Sequence, residues 1–308
     1  MPQPHRIDVH HHIVSPLFVE EMRARLQPPT LNWTPERSLE DMDRAGVATA
    51  ITSVTTPGIW IGDDEQGRRL ARDSNDYAAK LAADHPGRFG TFVAVPLPHI
   101  EASLREIEYG LDVLKADGVA LFTSYRDKWL GDPAFEPVMA ELDRRGAVAF
   151  THPEAPVCCR GLLPGVHEYM LEYGFDTTRA ITNLLFSGTA RRYPNIRWIF
   201  SHGGGTTPFL AERLIRAPGM NKALAPQVPD GVLAELQRFH YDVAQIAHPA
   251  ALAALARLVP ISQVLWGTDF PFRFGFEYVK GLAEFGFAED DLRAIERENA
   301  LRLLPRWR

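Results

Sequence analysis

Histidines near the start of the chain have the spacing of metal ligands. Residues 7–12 read Ile-Asp-Val-His-His-His, so one residue separates His10 from His12. Side chains alternate between the two faces of a β-strand, so these two imidazoles would point inward together while His11 points to the other face. Two imidazoles at one strand end are suitable ligands for a divalent metal ion. Histidine clusters this close to a terminus also occur on surfaces, and the pair alone leaves both interpretations open.

Three further motifs end predicted strands with a histidine or an aspartate. His152 follows Ala-Phe-Thr, His202 follows Ile-Phe-Ser and precedes three glycines, and Asp269 follows Trp-Gly-Thr. Each residue alone is compatible with a buried core histidine or a helix-capping aspartate. Four strands that all end this way favour one joint site, because the carboxyl ends of parallel barrel strands converge on one face.

The elements that would position these residues alternate along the chain. Short β-branched runs are separated by longer amphipathic stretches, a pattern that predicts βα units and a parallel sheet. There are eight candidate strands, the number required for a closed (β/α)8 TIM barrel of the α/β class. They are 6–13, 48–54, 89–95, 118–122, 147–152, 197–201, 239–243 and 263–267.

The connections predict one domain over residues 1–308 with decorated βα loops. A helix is expected over 68–85, before Pro86 and Gly87. The longest stretch without a clear pattern, 153–175, follows the fifth strand, where a barrel carries a substrate loop. Residues 176–178 read Asp-Thr-Thr and predict the start of the next helix.

Composition excludes several classes of partner. The 308 residues carry a formal net charge of −6, and no run of Lys or Arg forms a basic stripe, so no nucleic-acid partner is expected. No apolar run approaches the roughly 20 residues that span a bilayer, and residues 1–6 lack the pattern of a signal peptide. Cys158 and Cys159 are adjacent, unlike the cysteines of a zinc knuckle, and fit a reducing cytosol. A cytoplasmic protein without membrane contact is therefore expected.

Together the motifs resemble the amidohydrolase superfamily. More narrowly, they resemble its amidohydrolase-related branch that contains aminocarboxymuconate-semialdehyde decarboxylase and the ortho-hydroxybenzoate decarboxylases. The resemblance runs nearly end to end and rests on residues 7–12, 151–153, 201–205 and 267–272. A finer resemblance, to 6-methylsalicylate decarboxylase-like proteins, rests on residues 53–58, the cysteine pair and residues 175–178.

This resemblance implies a metal-dependent enzyme with no organic cofactor. It implies that the metal ligands are His10, His12, His152 and Asp269, and that His202 is a catalytic residue beside them. Superfamily members with two metals usually carry a bridging lysine at the end of the fourth strand, whereas residues 118–123 contain none. One divalent ion is therefore expected; imidazole and carboxylate ligands suit zinc, with manganese as the alternative. The family also implies a homodimer.

One departure from the branch concerns the substrate. The muconate decarboxylases carry an arginine that holds a substrate carboxylate, and the matching position here is Ser38. The sequence therefore favours a small carboxylic acid of the 2-hydroxybenzoate type, such as 6-methylsalicylate, over a muconate.

The predicted reaction is non-oxidative decarboxylation. The acid would chelate the metal through its carboxylate and neighbouring oxygen, and either His202 or Asp269 would protonate the carbon that loses CO2. The alternative on the same site is a hydrolase, in which metal-activated water attacks a lactone or amide. A serine hydrolase is excluded because no Gly-x-Ser-x-Gly motif is present. A non-catalytic protein with a structural zinc is a third class, for which this ligand set would be unusual.

Aromatic and charged residues near strand ends are candidates for further contacts. Aromatic rings would stack on a planar substrate, and an arginine would pair with a carboxylate. Each is also compatible with ordinary packing or a surface position. The candidate substrate contacts are Trp60, Phe122, Phe270, Phe272 and Arg273, and the candidates for orienting the ligands are Asp242 and Glu154.

Overall fold

Eight parallel strands form the frame of the molecule. The computed structural model describes residues 4–308; residues 1–3, on which part of the signal-peptide expectation rests, lie outside the described residues. Each of these eight strands hydrogen-bonds to its neighbour in chain order. Their bounds are β1 Arg6–Ile13, β2 Val47–Val54, β3 Phe89–Ala94, β4 Gly118–Phe122, β7 Val148–His152, β8 Arg197–Phe200, β9 His240–Asp242 and β10 Val264–Leu265; β5 (Ser124–Tyr125) and β6 (Lys128–Trp129) form a separate hairpin.

Backbone hydrogen bonds close the sheet between its last and first strands. The Val9 N–H donates to the Trp266 carbonyl at 3.0 Å, and the His12 N–H donates to the Phe270 carbonyl at 2.8 Å. In return, the Asp269 N–H donates to the His10 carbonyl at 2.8 Å. The segment after β10 therefore runs beside β1, and the prediction of a (β/α)8 barrel is confirmed.

Helices surround the barrel, and local sequence sets their ends. In the helix Pro35–Ala45 (α3), Pro35 occupies the first turn, the Thr34 hydroxyl accepts the Arg37 N–H, and Gly46 ends the helix at φ +66°. The α-helices are α1 Pro16–Met22, α2 Pro28–Leu31, α3 Pro35–Ala45, α4 Asp64–Asp84, α5 Ile100–Glu108, α6 Glu136–Arg145, α7 Glu172–Phe186, α8 Thr189–Arg192, α9 Thr207–Met220, α10 Val232–Leu236, α11 Pro249–Leu258, α12 Gly275–Phe285, α13 Glu289–Arg293 and α14 Asn299–Leu303. Within residues 4–308, none of them combines the length and apolar character needed to cross a bilayer.

The start of α7 differs from the prediction that it lies at residues 176–178. The helix begins at Glu172, so Asp176 lies inside it and is fully buried. Its carboxylate accepts hydrogen bonds from the Thr123 and Ser124 hydroxyls and, at 2.7 Å, from the Trp129 indole. Asp176 thus anchors the β5–β6 hairpin to α7 instead of capping a helix end.

Apolar side chains fill the barrel below the site. Arg297 donates to the His5 carbonyl just before β1, so the C-terminal segment covers the end where the strands begin. Helix α14 adds Ala300 and Leu303 to the interior cluster. Burying each large aliphatic side chain stabilises the fold by about 1.5–3 kcal/mol. Because apolar side chains occupy this part of the barrel, the polar residues lie at the opposite end. The strand residues of this cluster are Ile7, Val9, Ile51, Phe92, Val148, Phe150, Ile199 and Leu265.

Candidate metal centre and active site

The ends of three strands bring four polar side chains together. His10 and His12 lie on β1, His152 ends β7, and Asp269 follows β10. All four are buried, and one ligand atom from each lies within 4.8 Å of the others. Among residues 4–308 this is the cluster of histidine, cysteine and carboxylate side chains that has metal-site spacing. A single metal site is therefore indicated at the carboxyl ends of the strands, where barrel enzymes place their chemistry.

The hydrogen bonding within the cluster fits a cation. The Nε2 atoms of His10 and His12 face each other at 3.2 Å, and Asp269 Oδ1 lies 3.0 Å from His12 Nε2 and 3.3 Å from His10 Nε2. Neither ring nitrogen of His152 has a hydrogen-bond partner in the described chain, although both are buried. An unpaired buried polar group costs about 1–3 kcal/mol, and a divalent ion would accept this lone pair together with those of the two facing rings.

The electrostatics of the cluster favour positive charge within it. Burial lowers the pKa of His12 and lowers that of His152 further, so both rings are neutral and carry free lone pairs. Burial would raise the pKa of Asp269, but the charge of His10 and hydrogen bonds from the rings hold it well below its usual range. Burial also opposes a charged His10, yet Asp242 and Asp269 outweigh it and raise the His10 pKa to about 10, so a divalent ion would displace a proton from this ring. The site therefore attracts positive charge.

Asp242 connects the cluster to its neighbours. Its Oδ2 lies 2.8 Å from Nδ1 of His10, which directs Nε2 of that ring toward the cluster. Its Oδ1 accepts the backbone N–H of His202 at 2.9 Å and that of Ala244 at 3.0 Å. Asp242 thus orients a candidate ligand and fixes the backbone of the candidate catalytic histidine.

His202 lies beside the candidate ligands. Its ring centroid is 5.1 Å from that of His10 and 5.5 Å from that of His152, and its Nε2 is 3.3 Å from Asp269 Oδ2. Both His202 and Asp269 have left-handed backbones, with φ of +54° and +63°. Such conformations are uncommon for residues with side chains and concentrate at functional sites. A Cβ at Gly205 would lie 2.0 Å from a backbone carbonyl, which explains the glycine three residues after His202.

The predicted substrate contacts occupy different environments. The Phe270 ring stacks on His11 with centroids 4.8 Å apart, on the far face of β1 from the cluster. The Phe272 ring lies edge-on to His12 at 6.0 Å. Arg273 donates to Glu277 Oε2 from Nε at 3.0 Å and from Nη2 at 2.6 Å. Of these three residues, Phe272 has the position that best suits a substrate contact.

A cavity of about 460 Å³ lies near the cluster, and the remaining aromatic candidates, Trp60 and Phe122, line it. None of the four candidate ligands lines this cavity, but the ring of Phe122, which does, lies 6.1 Å from that of His152. Glu154 also lines it, and burial raises the pKa of this carboxyl to about 7. The volume falls within the range of small-molecule sites.

Ser38 explains the absence of an arginine for a substrate carboxylate. Its side chain is fully buried, lies 2.9 Å from His11 Nε2, and accepts a 2.9 Å hydrogen bond from the Trp33 indole. This position therefore supports the far face of β1 and has no access to the cluster.

Sequence reasoning missed Gln245, which contacts the site directly. Its Nε2 donates to Asp269 Oδ2 at 2.8 Å, and its backbone φ is +59°. Gln245 lies outside the motifs that contain the predicted site residues. The only signal was its place three residues after Asp242, in a βα loop on the active face.

Comparison with known proteins identifies the family. Over residues 7–306 the chain matches the sequence model of a family described as Amidohydrolase. The chain therefore belongs to this amidohydrolase family, as the strand-end motifs predicted.

Similar proteins include decarboxylases. Decarboxylase yanB of Aspergillus niger is 36% identical, over 98% of this chain and 88% of the fungal protein. The 6-methylsalicylic acid decarboxylase of Penicillium expansum is also 36% identical, over 98% of this chain and 96% of that protein. These relatives confirm the predicted branch and the enzyme class, a carboxy-lyase.

A solved structure supports the fold. The crystal structure of a dihydroxybenzoic acid decarboxylase from Polaromonas, with bound manganese and the inhibitor 2-nitroresorcinol, has a TM-score of 0.84 to this chain. The two are 20% identical, and the match covers 99% of this chain and 98% of that one.

Proposed function

We propose that this chain removes CO2, without oxidation, from a small aromatic 2-hydroxy acid of the 6-methylsalicylate type. The observation that carries the proposal is the convergence of His10, His12, His152 and Asp269 beside His202 in one buried cluster. The names of the two fungal relatives support decarboxylation over the hydrolase alternative.

The four clustered side chains would hold one divalent ion. Zinc suits three imidazoles and a carboxylate, and manganese is the alternative because the Polaromonas enzyme contains it. When bound, the ion would supply positive charge that holds the substrate carboxylate and its neighbouring oxygen. No organic cofactor is proposed.

His202 is the residue we assign as proton donor. Asp269 has a pKa held well below its usual range, so it is ionised and is a poor acid, whereas its Oδ2 accepts from His202 Nε2 at 3.3 Å. A proton moves from His202 to the ring carbon that bears the carboxylate. The bond between this carbon and the carboxylate then breaks, its electron pair returns to the ring, and CO2 leaves.

The substrate ring would enter from the cavity side. Trp60 and Phe122 line that approach and Phe272 lies beside His12, so these aromatic rings provide surfaces for a planar acid. Phe270 stacks on His11 and Arg273 donates to Glu277, so these two residues would support the loop that carries Asp269.

We further propose one domain over residues 1–308, a homodimer and a cytoplasmic location. The family match over residues 7–306 supports the single domain. The homodimer follows from the family resemblance, and the adjacent, unbonded cysteines suit a reducing compartment. Light scattering of the purified protein tests the dimer directly.

The decisive experiment measures CO2 release from a panel of 2-hydroxybenzoates, including 6-methylsalicylate. Metal-loaded protein is compared with chelated protein and with chelated protein to which Zn²⁺ or Mn²⁺ is restored. We expect release that chelation abolishes and metal restores. His202→Ala should lose turnover and keep its metal. A metal-loaded protein that releases no CO2 but opens lactones or amides would replace this proposal with the hydrolase.

A further inference from the structure

Gln245 has a backbone conformation that requires support. It follows β9 in the loop before α11 and has φ +59°, which costs about 1–2 kcal/mol for a residue with a side chain. Its N–H donates to the Tyr278 hydroxyl at 3.0 Å, and Tyr278 is almost fully buried. The N–H of the preceding residue, Ala244, donates to Asp242. These two hydrogen bonds hold the backbone of the loop, so the position from which the Gln245 side chain extends is fixed.

The carboxamide of Gln245 contacts one oxygen of Asp269. Nε2 of Gln245 lies 2.8 Å from Oδ2, and the ionised carboxylate only accepts, so the amide is the donor. The other oxygen, Oδ1, faces the Nε2 atoms of His12 and His10 at 3.0 and 3.3 Å. Asp269 therefore has a distinct partner for each oxygen: the histidine cluster for Oδ1, and the amide for Oδ2.

His202 shares Oδ2 with the amide. Its Nε2 lies 3.3 Å from that oxygen, farther than the amide nitrogen. The torsion that turns an aspartate carboxylate is broad and roughly two-fold, so packing alone fixes it poorly. A short hydrogen bond from a held amide fixes this torsion and keeps Oδ2 within reach of His202.

The exposure of the two residues places the amide on the open side of the site. Asp269 is 5% exposed, whereas Gln245 is an exposed residue. Left-handed conformations of non-glycine residues occur preferentially at functional sites, which fits the contact of Gln245 with the carboxylate.

We infer that Gln245 is a positioning residue for the decarboxylation proposed above. Its amide orients Asp269 so that Oδ1 faces the metal site while Oδ2 faces His202. This inference rests on the proposed function for its catalytic consequence, and its effect on the metal site is measurable without turnover.

Three substitutions separate the amide from the backbone. Gln245→Met keeps the length of the side chain and removes the donor. Gln245→Gly removes the donor and relieves the left-handed strain, and Gln245→Glu keeps the shape but places a carboxylate against Asp269. Lys115→Gly is the matched control, because Lys115 also has a left-handed backbone (φ +56°) and lies before β4, away from the active face.

Two readouts test the inference. We expect Gln245→Met and Gln245→Gly to lower kcat by about 10- to 100-fold, with KM changed by less than about threefold, and Gln245→Glu to lower it further. In Co²⁺-substituted protein, the same variants should shift the visible absorption of the metal and weaken Co²⁺ binding, with melting temperatures close to wild type. Lys115→Gly should change neither kcat nor the spectrum.

The outcomes that overturn the inference are specific. Wild-type kcat and an unchanged Co²⁺ spectrum in Gln245→Met would show that the amide has no positioning role. Full activity in Gln245→Gly would do the same, since that variant also lacks the amide. If the wild-type protein releases CO2 from none of the panel acids, the proposed function fails, and the Co²⁺ spectra and affinities still decide whether Gln245 orients Asp269.

Discussion

The Nδ1 of His10 lies 2.8 Å from Oδ2 of Asp242, and both side chains are fully buried. The other oxygen of Asp242 accepts the His202 N–H at 2.9 Å. One carboxylate therefore fixes the ring of a candidate metal ligand and the backbone of the candidate proton donor. Pairs of this kind hold a metal-binding histidine in one tautomer and one orientation.

Asp242→Asn should weaken metal binding by about 10- to 100-fold, because an amide keeps the shape but is a poorer acceptor for the His10 ring. Competition with a chromophoric chelator measures the affinity. Asp41→Asn is a suitable control: Asp41 is also buried, and it accepts the Gly275 N–H away from the cluster. Equal affinity in wild type and Asp242→Asn would contradict the role given to Asp242.

His11 and His12 are adjacent and both buried, yet they serve opposite faces of β1. His11 lies 3.1 Å from Asp8 Oδ2 and stacks on Phe270, whereas His12 faces Asp269. We expect His12→Ala to lose its metal. His11→Ala should keep it and lose about 1–3 kcal/mol of unfolding free energy, because buried partners are left unpaired.

Metal analysis and urea unfolding of the two variants provide the test. A folded His11→Ala protein without metal would mean that the alternation along β1 has been misassigned. Conversely, a full metal complement in His12→Ala would remove that residue from the ligand set.

The barrel strands could be predicted closely because buried parallel strands read as continuous apolar runs. The observed β1 and β4 have the predicted bounds, and the others differ by a few residues at their ends. The cluster could be predicted because alternation along β1 places His10 and His12 on one face, and because barrel strands share a common carboxyl end.

Other features depend on partners that are distant in sequence. The β5–β6 hairpin turns at Arg126 and Asp127, both left-handed, without the Asn-Gly pair that usually marks such a turn. Asp176 has the composition of a helix start, but its carboxylate is used by the hairpin. Gln245 acts through Asp269, 24 residues later in the chain. No local pattern encodes these contacts.

A stacked cation lines the cavity beside the cluster. The Arg126 guanidinium carbon lies 4.3 Å from the Trp60 ring centroid, and both residues line the cavity. Arg126→Met should raise KM for acids with a second oxygen-bearing substituent by about tenfold and leave kcat largely unchanged, since a charge-assisted hydrogen bond contributes about 1.5–3 kcal/mol.

Steady-state kinetics on pairs of substrates that differ in this one substituent measure the effect. Arg44→Met is the matched control, because Arg44 stacks on Phe276 at 4.2 Å outside the cavity. An equal rise in KM for substituted and unsubstituted acids would argue against a specific contact at Arg126.

His240, on β9, gives the fold a dependence on pH that is separate from catalysis. Burial lowers the pKa of this imidazole to about 4, from an ordinary 6.5. Between these values the unfolded chain binds a proton that the folded chain excludes, so unfolding becomes easier as the pH falls. The loss reaches on the order of 3 kcal/mol once the pH has fallen to the folded-state pKa.

His240→Phe, which cannot titrate, should therefore show a smaller decrease in unfolding free energy than wild type from about pH 7 to about pH 5. Urea unfolding of both proteins across this range measures the difference, and the contributions of other groups, such as Asp41 and Glu154 with pKa values raised by burial to about 6 and about 7, cancel in the comparison. Parallel pH profiles for the two proteins would show that His240 contributes nothing to acid sensitivity.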